Sequence, residues 1–177
     1  MLPIRRVAEG RHVLAFHHPV PGFVPVHLLL VPKMALPSLR HLTELDRAQI
    51  AAEVEQLAPE ALDNVGASES GFLVFVNGGP RQDVRQVHFH LVTDGYELAH
   101  APSGDQSGVW TEITDPTYEL HRVRAGDGSL LAGLTHAAEH HDALQLERRG
   151  YSIVWDARAY DSGDVVHLTA GMPRALP

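Results

Sequence analysis

The chain of 177 residues contains no cysteine. This absence excludes disulfide bonds, thiolate metal ligands and cysteine nucleophiles, and it leaves the redox compartment undetermined. Long apolar runs are also missing: the aliphatic run 28–31 ends at Pro32, far below the ~20 residues that a membrane span needs. Residues 1–11 carry arginines but no apolar run of signal-peptide length. We therefore expect a soluble, cytoplasmic protein without a membrane partner.

Positive charge is scarce as well. Lysine and arginine number 14 against 22 aspartates and glutamates, which gives a formal net charge of -8. This balance disfavours duplex nucleic acid as the main partner, because binding to its phosphates depends on clustered positive charge. A negatively charged small substrate would need a local site of positive charge. The length suits one large domain or two small repeats. A protein of this size can bury a hydrophobic core without a disulfide cross-link.

The most informative segment is residues 86–92, which read Gln-Val-His-Phe-His-Leu-Val. In a strand, side chains alternate between the two faces, so His88 and His90 share one face. The opposite face then carries the apolar residues Val87, Phe89 and Leu91. One face is therefore expected to pack into a core, while the other holds two titratable rings side by side, an arrangement suited to phosphate chemistry or metal binding.

Hydrophobic periodicity and residues that end helices and strands predict the secondary structure before this segment. Strands are expected at 12–17 and 26–31, the second ending at a proline. Thr43 and Asp46 have the spacing of a capping box, and apolar residues then recur at helical spacing. We expect Pro59 to end or kink that helix.

The remaining elements follow from turn signals and composition. A short apolar strand at 71–76 precedes a turn at 77–80, so it should pair antiparallel with the histidine-bearing strand. Residues 101–108 lack periodicity and indicate a linker. Beyond them we expect a strand at 118–124, a helix from 129 to about 144, and two further strands.

Those last strands resemble the first half of the chain. Residues 71–77 match 150–156 in hydrophobic character and in an Asn or Asp at the end. Without a gap, His88 then falls on His167, whereas Thr169 replaces the second histidine. We favour a duplicated unit with a degenerate second copy. The alternative is that two short hairpins resemble each other.

These pieces together resemble the histidine-triad (HIT) superfamily of nucleotide hydrolases and transferases. The matching segments occur in the order of the family: residues 14–17, 27–33, 77–79 with Gln82, and 86–92. The resemblance implies an α+β fold, an antiparallel sheet with flanking helices. Combined with the repeat, it predicts a HIT-like catalytic unit at 1–100, the linker at 101–108 and a degenerate HIT-like repeat at 109–177. Such a chain would be a monomer that acts as a pseudo-dimer; without the repeat, a homodimer is the default.

The resemblance also implies the chemistry. His88 would attack the α-phosphorus of a nucleotide, such as a dinucleoside polyphosphate or a nucleoside phosphoramidate, and form a nucleotidyl-histidine intermediate. His90 and His27 would surround the phosphate, donate hydrogen bonds and help protonate the leaving group. Water would then release the nucleoside monophosphate. No metal ion or other cofactor is implied.

Substrate-binding residues are implied in the same way. They comprise two residues on the nucleoside side and three near the phosphate: Phe16, His17, Asn77, Gln82 and Gln86. Gln86 occupies the first triad position, where the family supplies a backbone carbonyl to the nucleophilic histidine, so any side chain is tolerated there.

Two other positions depart from the family pattern. His18 stands where many members have an Asp that holds the ribose, and Asp83 stands where many have a Ser near the phosphate. A carboxylate beside a phosphate repels it unless it points away or is paired. These departures, with Gln86, keep open a nucleotide-binding protein with little turnover.

A metal-dependent enzyme is a third possibility. His136 and His140 flank Glu139 in a His-x-x-Glu-His pattern that can hold zinc on a helix. The chain has thirteen histidines, so we favour coincidence on a solvated helix face. A His-x-His pair also ligates metal in cupin barrels, but Asp94 and Glu97 are poorly spaced to complete such a site.

Overall fold

The computed structural model describes residues 5–19, 25–93, 113–115, 120–124, 128–157 and 165–170. Its strands are β1 (Arg6–Glu9), β2 (Val13–His17), β3 (His27–Pro32), β4 (Phe72–Gly78), β5 (Phe89–Thr93), β6 (Ile113–Asp115), β7 (Leu120–Arg124), β8 (Tyr151–Asp156) and β9 (Val165–Ala170). Its helices are α1 (Glu44–Asn64), α2 (Leu130–Glu139) and α3 (Leu146–Arg149), with 3₁₀ turns at Leu39–His41 and Gly79–Arg81. The linker predicted at 101–108 lies outside the described residues.

Within the described ranges, nine strands form one sheet in the order β1-β2-β3-β5-β4-β8-β9-β7-β6. Every neighbouring pair is antiparallel. The predicted strands in both halves are present, and β4 pairs with β5 as expected. Strands β1 and β6 were not predicted from the sequence. The α+β class is confirmed.

From the central β4–β8 pair, the strands on one side are β5, β3, β2 and β1, and those on the other are β9, β7 and β6. Apart from β1 at one edge, each strand on one side has a counterpart in chain order on the other side. In the central pair, Phe75 lies opposite Val154. These two residues occupy the same position of the predicted repeat.

Both long helices pack on one face of the sheet, which we call the helix side. The predicted capping box of α1 is confirmed: Thr43 Oγ1 accepts a hydrogen bond from the Asp46 amide, and the Asp46 carboxylate accepts one from the Thr43 amide. The helical apolar positions are buried as predicted, and they meet apolar strand residues in one core: Ile50, Val54, Leu57, Val74, Val76, Phe89, Leu91, Leu134, Ile153 and Leu168. Among the described residues, no helix is long and apolar enough to cross a membrane.

The prediction that Pro59 ends or kinks α1 is wrong, because the helix continues to Asn64. A proline inside a helix removes one backbone hydrogen bond and costs about 3 kcal/mol or more. Here its ring is exposed, while Ala61 and Leu62 beyond it are buried against the sheet. Burial of the residues that follow the proline therefore offsets the local cost, since one fully buried leucine contributes about 1.5–3 kcal/mol.

Helix α2 begins where the sequence predicts but ends earlier. Ser129 caps it by accepting a hydrogen bond from the Ala132 amide, and Glu55 of α1 accepts another from the Leu130 amide at 2.6 Å. The helix ends at Glu139, and turns lead to Gln145, whose φ of 52° is left-handed. The predicted end near residue 144 is therefore wrong, because residues 140–145 form turns that are not part of the helix.

Candidate active site

The alternation of residues 86–92 is confirmed in the structure. Val87, Phe89 and Leu91 are fully buried on the helix side. His88 directly precedes β5 and His90 lies within it, and their rings meet edge to face with centroids 4.8 Å apart. Both imidazoles therefore lie on the face of the sheet opposite the helices, which we call the site face.

His88 is oriented by a backbone group two residues before it. Its Nδ1 lies 2.8 Å from the carbonyl oxygen of Gln86, the contact that the resemblance implies. Because a carbonyl only accepts, Nδ1 carries the proton of the neutral ring and Nε2 keeps a lone pair. The ring is thus held in the tautomer that a nucleophile requires.

The side chain of Gln86 is used to hold the adjacent loop. Its Oε1 accepts from the Leu36 amide at 3.1 Å, and its Nε2 donates to the carbonyl oxygens of Pro32 and Met34 at 3.1 and 3.0 Å. The amide donors are therefore engaged with backbone. This limits the predicted substrate-binding role of Gln86 to its carbonyl, which positions His88.

Four imidazoles gather on the site face, and we call His18, His27, His88 and His90 the imidazole cluster. His27 Nε2 lies 2.9 Å from His90 Nδ1, so one proton is shared between these two nitrogens. The rings of His18 and His27 are stacked, with centroids 4.1 Å apart. The predicted catalytic residues His27, His88 and His90 are thus brought together, and His18 joins them.

Strand alternation explains why His18, not His17, belongs to the cluster. The His18 amide donates to the His27 carbonyl at 3.0 Å, which anchors it beside β3. His17 pairs with Leu28, a fully buried residue of the helix side. Residues directly opposite in a sheet share a face. The prediction that His17 lines the substrate pocket is therefore wrong, because it lies on the other face of the sheet.

Phe16, the other residue predicted to contact the nucleoside, lies on the site face. It pairs with Leu29, which in turn pairs with His90. The sequence reasoning missed Phe75, whose ring stacks on His90 with centroids 4.5 Å apart and an interplanar angle of 10°. The sequence did contain a signal for Phe75: it lies two residues before Asn77 in a strand, and residues two apart in a strand share one face.

Asn77 is held from the second half of the chain. Its Oδ1 accepts a hydrogen bond from Ser152 Oγ at 2.6 Å, and the same hydroxyl oxygen accepts one from Arg81 Nη1 at 3.1 Å. With Oδ1 fixed in this way, the amide nitrogen of Asn77 is the group left to donate to an anion.

Gln82 is placed differently from the prediction. Its Nε2 donates to the carbonyl oxygens of Pro37 and Val84 at 2.9 and 2.7 Å. An amide nitrogen has two protons, and a phosphate needs donors. Since both protons are engaged, the structure assigns Gln82 to holding the loop and gives it no donor for the phosphate.

A family model for the HIT domain matches residues 2–95, more than half of the chain. The chain belongs to the HIT family. It is 29% identical over 92 residues to an uncharacterised 13.2 kDa HIT-like protein of Azospirillum brasilense, which covers 51% of this chain and 75% of that protein. The α+β fold described above is thus a HIT-like fold, and members of the family are in general nucleotide hydrolases or transferases.

Solved structures similar to this HIT protein include the following two. A HIT family hydrolase from Legionella pneumophila is 27% identical, with a TM-score of 0.48, and the match covers 58% of this chain and 90% of that one. A histidine triad protein from Clostridium difficile is 28% identical, with a TM-score of 0.48, and the match covers 59% and 87%.

The histidines at the centre of this HIT protein are kept neutral. Burial, with the nearby His18 and His88, lowers the pKa of His27 from 6.5 to about 4. Burial, with His88, His27 and His18, lowers the pKa of His90 to about 3. Both rings are therefore neutral near pH 7. One nitrogen of each ring is engaged in the His27–His90 hydrogen bond, which leaves the other nitrogen of each ring for a substrate.

Acid should destabilise this HIT protein through His27 and His90. Unfolded histidines take up protons near pH 6.5, whereas the folded rings stay neutral to about pH 4 and 3. The unfolded state binds more protons in this window, so the free energy of unfolding falls as the pH drops below about 6.5. Urea unfolding at pH 7.5 and 5.0 should show a loss on the order of 1 kcal/mol after allowance for solvent screening.

Two variants locate the source of that acid sensitivity. His90→Asn removes one of the depressed groups, so its loss of stability between pH 7.5 and 5.0 should be smaller than in the wild type. His41→Asn changes an exposed histidine outside the imidazole cluster and should keep the wild-type loss. An identical loss in His90→Asn and wild type would contradict this assignment.

The His-x-x-Glu-His pattern lies at the end of α2 on the helix side, away from the imidazole cluster. The rings of His136 and His140 are stacked with centroids 3.9 Å apart. His140 Nδ1 lies 3.1 Å from the His136 carbonyl oxygen, and Glu139 between them is exposed. Burial, with His140 nearby, lowers the pKa of His136 to about 4. The two rings thus share one helix face as expected.

Proposed function

We propose that this HIT protein is a nucleotide phosphohydrolase or nucleotidyl transferase that acts at the α-phosphate through a nucleotidyl-His88 intermediate. The observation that carries the proposal is the 2.8 Å contact between His88 Nδ1 and the Gln86 carbonyl oxygen. A proton fixed on Nδ1 leaves the Nε2 lone pair available for attack, and the carbonyl stabilises the positive charge that develops on the ring.

In the first step, His88 Nε2 forms a bond to the α-phosphorus while the bond from phosphorus to the leaving group breaks. The leaving group takes the electron pair of that bond and takes its proton from solvent water, while the imidazole cluster donates hydrogen bonds to it, because neutral rings do not give up their remaining N–H proton near pH 7. The 2.9 Å hydrogen bond between His27 and His90 holds these two rings relative to each other.

In the second step, water attacks the phosphorus of the intermediate. The phosphorus–nitrogen bond breaks, its electron pair returns to His88 Nε2, and the water loses a proton to solvent, which replaces the proton taken up by the leaving group. The products are a nucleoside monophosphate and the starting neutral ring, so the cycle closes in atoms and charge. An alcohol or phosphate acceptor in place of water would make the reaction a nucleotidyl transfer.

Substrate contacts follow from the two faces of the sheet. Phe16 and the imidazole cluster lie on the site face, where Phe16 is available to pack against the nucleoside. The amide nitrogen of Asn77 is the group best placed to donate to the phosphate or leaving group. Suitable substrates join a nucleoside monophosphate to a good leaving group, as dinucleoside polyphosphates and nucleoside phosphoramidates do.

The proposal is tested with purified protein and two probes, diadenosine tetraphosphate and adenosine phosphoramidate. We expect release of adenosine monophosphate from at least one of them. A rapidly quenched reaction should leave a mass increase of one nucleotidyl group on the protein. Turnover without any such adduct at the earliest times would argue for direct attack by water and against His88 as nucleophile.

The second candidate is a nucleotide-binding protein with little turnover. The ring of His18 stacks on His27, where the family pattern has an Asp that holds the ribose, and Asp83 is exposed in the loop between β4 and β5. Calorimetric binding of AMP or GMP without hydrolysis of either probe would favour this candidate. Cytoplasmic location and a lack of duplex nucleic acid and membrane partners stay predictions from the sequence.

We also propose that the chain contains two HIT-like units, an active one at 1–100 and a degenerate one at 109–177. The strand order about the β4–β8 pair supports this, as does the register that sets Phe75 opposite Val154. A second copy inside the chain takes the place that a partner chain would occupy, since β8 already covers the edge of β4.

The duplicated unit predicts a monomer in solution. Size-exclusion chromatography with light scattering should give the mass of one chain, 19.4 kDa. The mass should stay constant over a hundredfold range of protein concentration, because the central strand edge is paired within the chain. A stable homodimer at low micromolar concentration would contradict the pseudo-dimer.

Ser152 is predicted to position Asn77 across the two halves. Ser152→Ala removes the 2.6 Å hydrogen bond to Asn77 Oδ1, so the amide can rotate away from the site. One such hydrogen bond contributes about 0.5–1.5 kcal/mol, which corresponds to a drop in kcat/KM of about 2- to 13-fold if it is lost from transition-state binding. Steady-state kinetics should show this drop with the melting temperature lowered by no more than about 5 °C, and the exposed Ser68→Ala serves as control. Equal kinetics in Ser152→Ala and the control would contradict the positioning role.

A further inference from the structure

Three rings of the imidazole cluster converge closely enough to share one ion. His18, His27 and His90 each offer a ring nitrogen, and these three nitrogens lie within 4.8 Å of one another. We propose that they form a binding site for a divalent transition-metal ion of the zinc type. The hydrolysis proposed above uses no such ion, so this site is a separate property of the same face.

The chemistry of the donor set fits such an ion. Neutral imidazole is a common ligand for zinc, copper and nickel, whereas magnesium and calcium prefer oxygen. Ligand nitrogens must be unprotonated, and protons compete with metal for them. His27 Nε2 and His90 Nδ1 are hydrogen-bonded to each other, so one of these two nitrogens already presents a lone pair.

The distances between the ligand nitrogens require small movements of the three rings when an ion binds. Zinc–nitrogen bonds of about 2.0–2.1 Å in a tetrahedron set ligand nitrogens about 3.3 Å apart. His27 Nε2 and His90 Nδ1 lie 2.9 Å apart, so these rings separate by a few tenths of an ångström. The proton they share moves to the far nitrogen of its own ring, which needs no net loss of charge. The ring of His18 turns toward them about its two side-chain torsions.

The backbone around the three ligands is already fixed. His18 is tied to β3 by the 3.0 Å hydrogen bond from its amide to the His27 carbonyl, and β3 pairs directly with β5. Phe75 stacks on His90 and restrains that ring. The sheet therefore brings the ligands together before an ion arrives, and three protein ligands leave a fourth position for water or a phosphate oxygen.

The test uses the full chain after removal of metal with a chelator. Calorimetric titration with Zn²⁺ should show one site of high affinity, and Co²⁺ should give the intense visible absorption of a tetrahedral complex. His18→Ala and His18→Asn should each weaken Zn²⁺ binding at least tenfold and lose the Co²⁺ bands. Two variants serve so that a folding defect in one, checked by circular dichroism, leaves the other decisive.

Two further variants separate this site from other histidines and from the proposed hydrolysis. His88→Ala lacks the nucleophile but keeps all three ligands, so it should bind Zn²⁺ as the wild type does, whatever its turnover. The exposed His41→Ala should also bind normally. Unchanged affinity in both His18 variants would overturn the site. Loss of binding in His136→Ala, with binding intact in the His18 variants, would overturn it as well and assign the ion to α2.

Discussion

In His88→Ala, hydrolysis of the nucleotide probes should fall by about 10⁴-fold or more in kcat, because removal of a covalent nucleophile eliminates the two-step path. The ring of His88 is oriented by the Gln86 carbonyl at 2.8 Å and by edge-to-face contact with His90, and an alanine supplies no nucleophilic atom. Substrate affinity should change far less, since Phe16 and Asn77 remain.

Single-turnover kinetics and intact mass after rapid quenching measure this effect directly. The wild type should show the nucleotidyl adduct, and His88→Ala should show none at any time. His41→Ala replaces an exposed histidine outside the imidazole cluster and should retain wild-type turnover and the adduct. Hydrolysis at the wild-type rate in His88→Ala would reject the covalent mechanism and favour direct attack by water.

The second large effect is on stability. Phe89→Ala should lower the free energy of unfolding by about 3–5 kcal/mol, because truncation of a buried phenylalanine removes its transfer energy and leaves a cavity. Phe89 is fully buried, lies opposite Leu30 and Val76 in the neighbouring strands, and sits between His88 and His90 along the chain. A loss of this size is about a fifth or more of the ~5–15 kcal/mol that holds most domains folded.

Urea denaturation followed by tryptophan fluorescence checks the stability effect. Phe89→Leu keeps most of the volume and should cost less than about 1.5 kcal/mol. Val84→Ala, whose side chain is 55% exposed, should stay within about 0.5 kcal/mol of the wild type. Conservative core substitutions cost less than about 1.5 kcal/mol. A cost below this value for Phe89→Ala would contradict the burial of this ring in a single core.

Local features were predicted well because short-range physics determines them. The alternation at 86–92 set the two histidines on one face, and the Thr43–Asp46 spacing set the start of α1. The strand–turn–strand order at 71–92 gave the antiparallel β4–β5 pair. The order of the motifs gave the family. In each case the residues that decide the outcome lie within a few positions of one another.

Predictions failed where distant residues decide. Pro59 lies inside α1 because the residues beyond it are buried by the sheet, which the sequence around Pro59 does not show. His17 was assigned to the pocket, yet its pairing with Leu28 places it on the helix side. Gln82 was expected to bind the phosphate, yet its amide donates to the carbonyl oxygens of Pro37 and Val84. The side chain of Gln86 binds backbone groups of residues 32–36.

The sequence by itself determined the fold class, the family and the candidate nucleophile. The alternation of apolar and polar residues, the helix cap and each motif depend on residues that are close together in the sequence. Only the tertiary structure decided the composition of the site. It brought His18 against His27, stacked Phe75 on His90 and fixed Asn77 with Ser152 from a strand 75 positions away. The physical reason is that strand pairing selects which side chains share a face, and pairing is a property of the whole sheet.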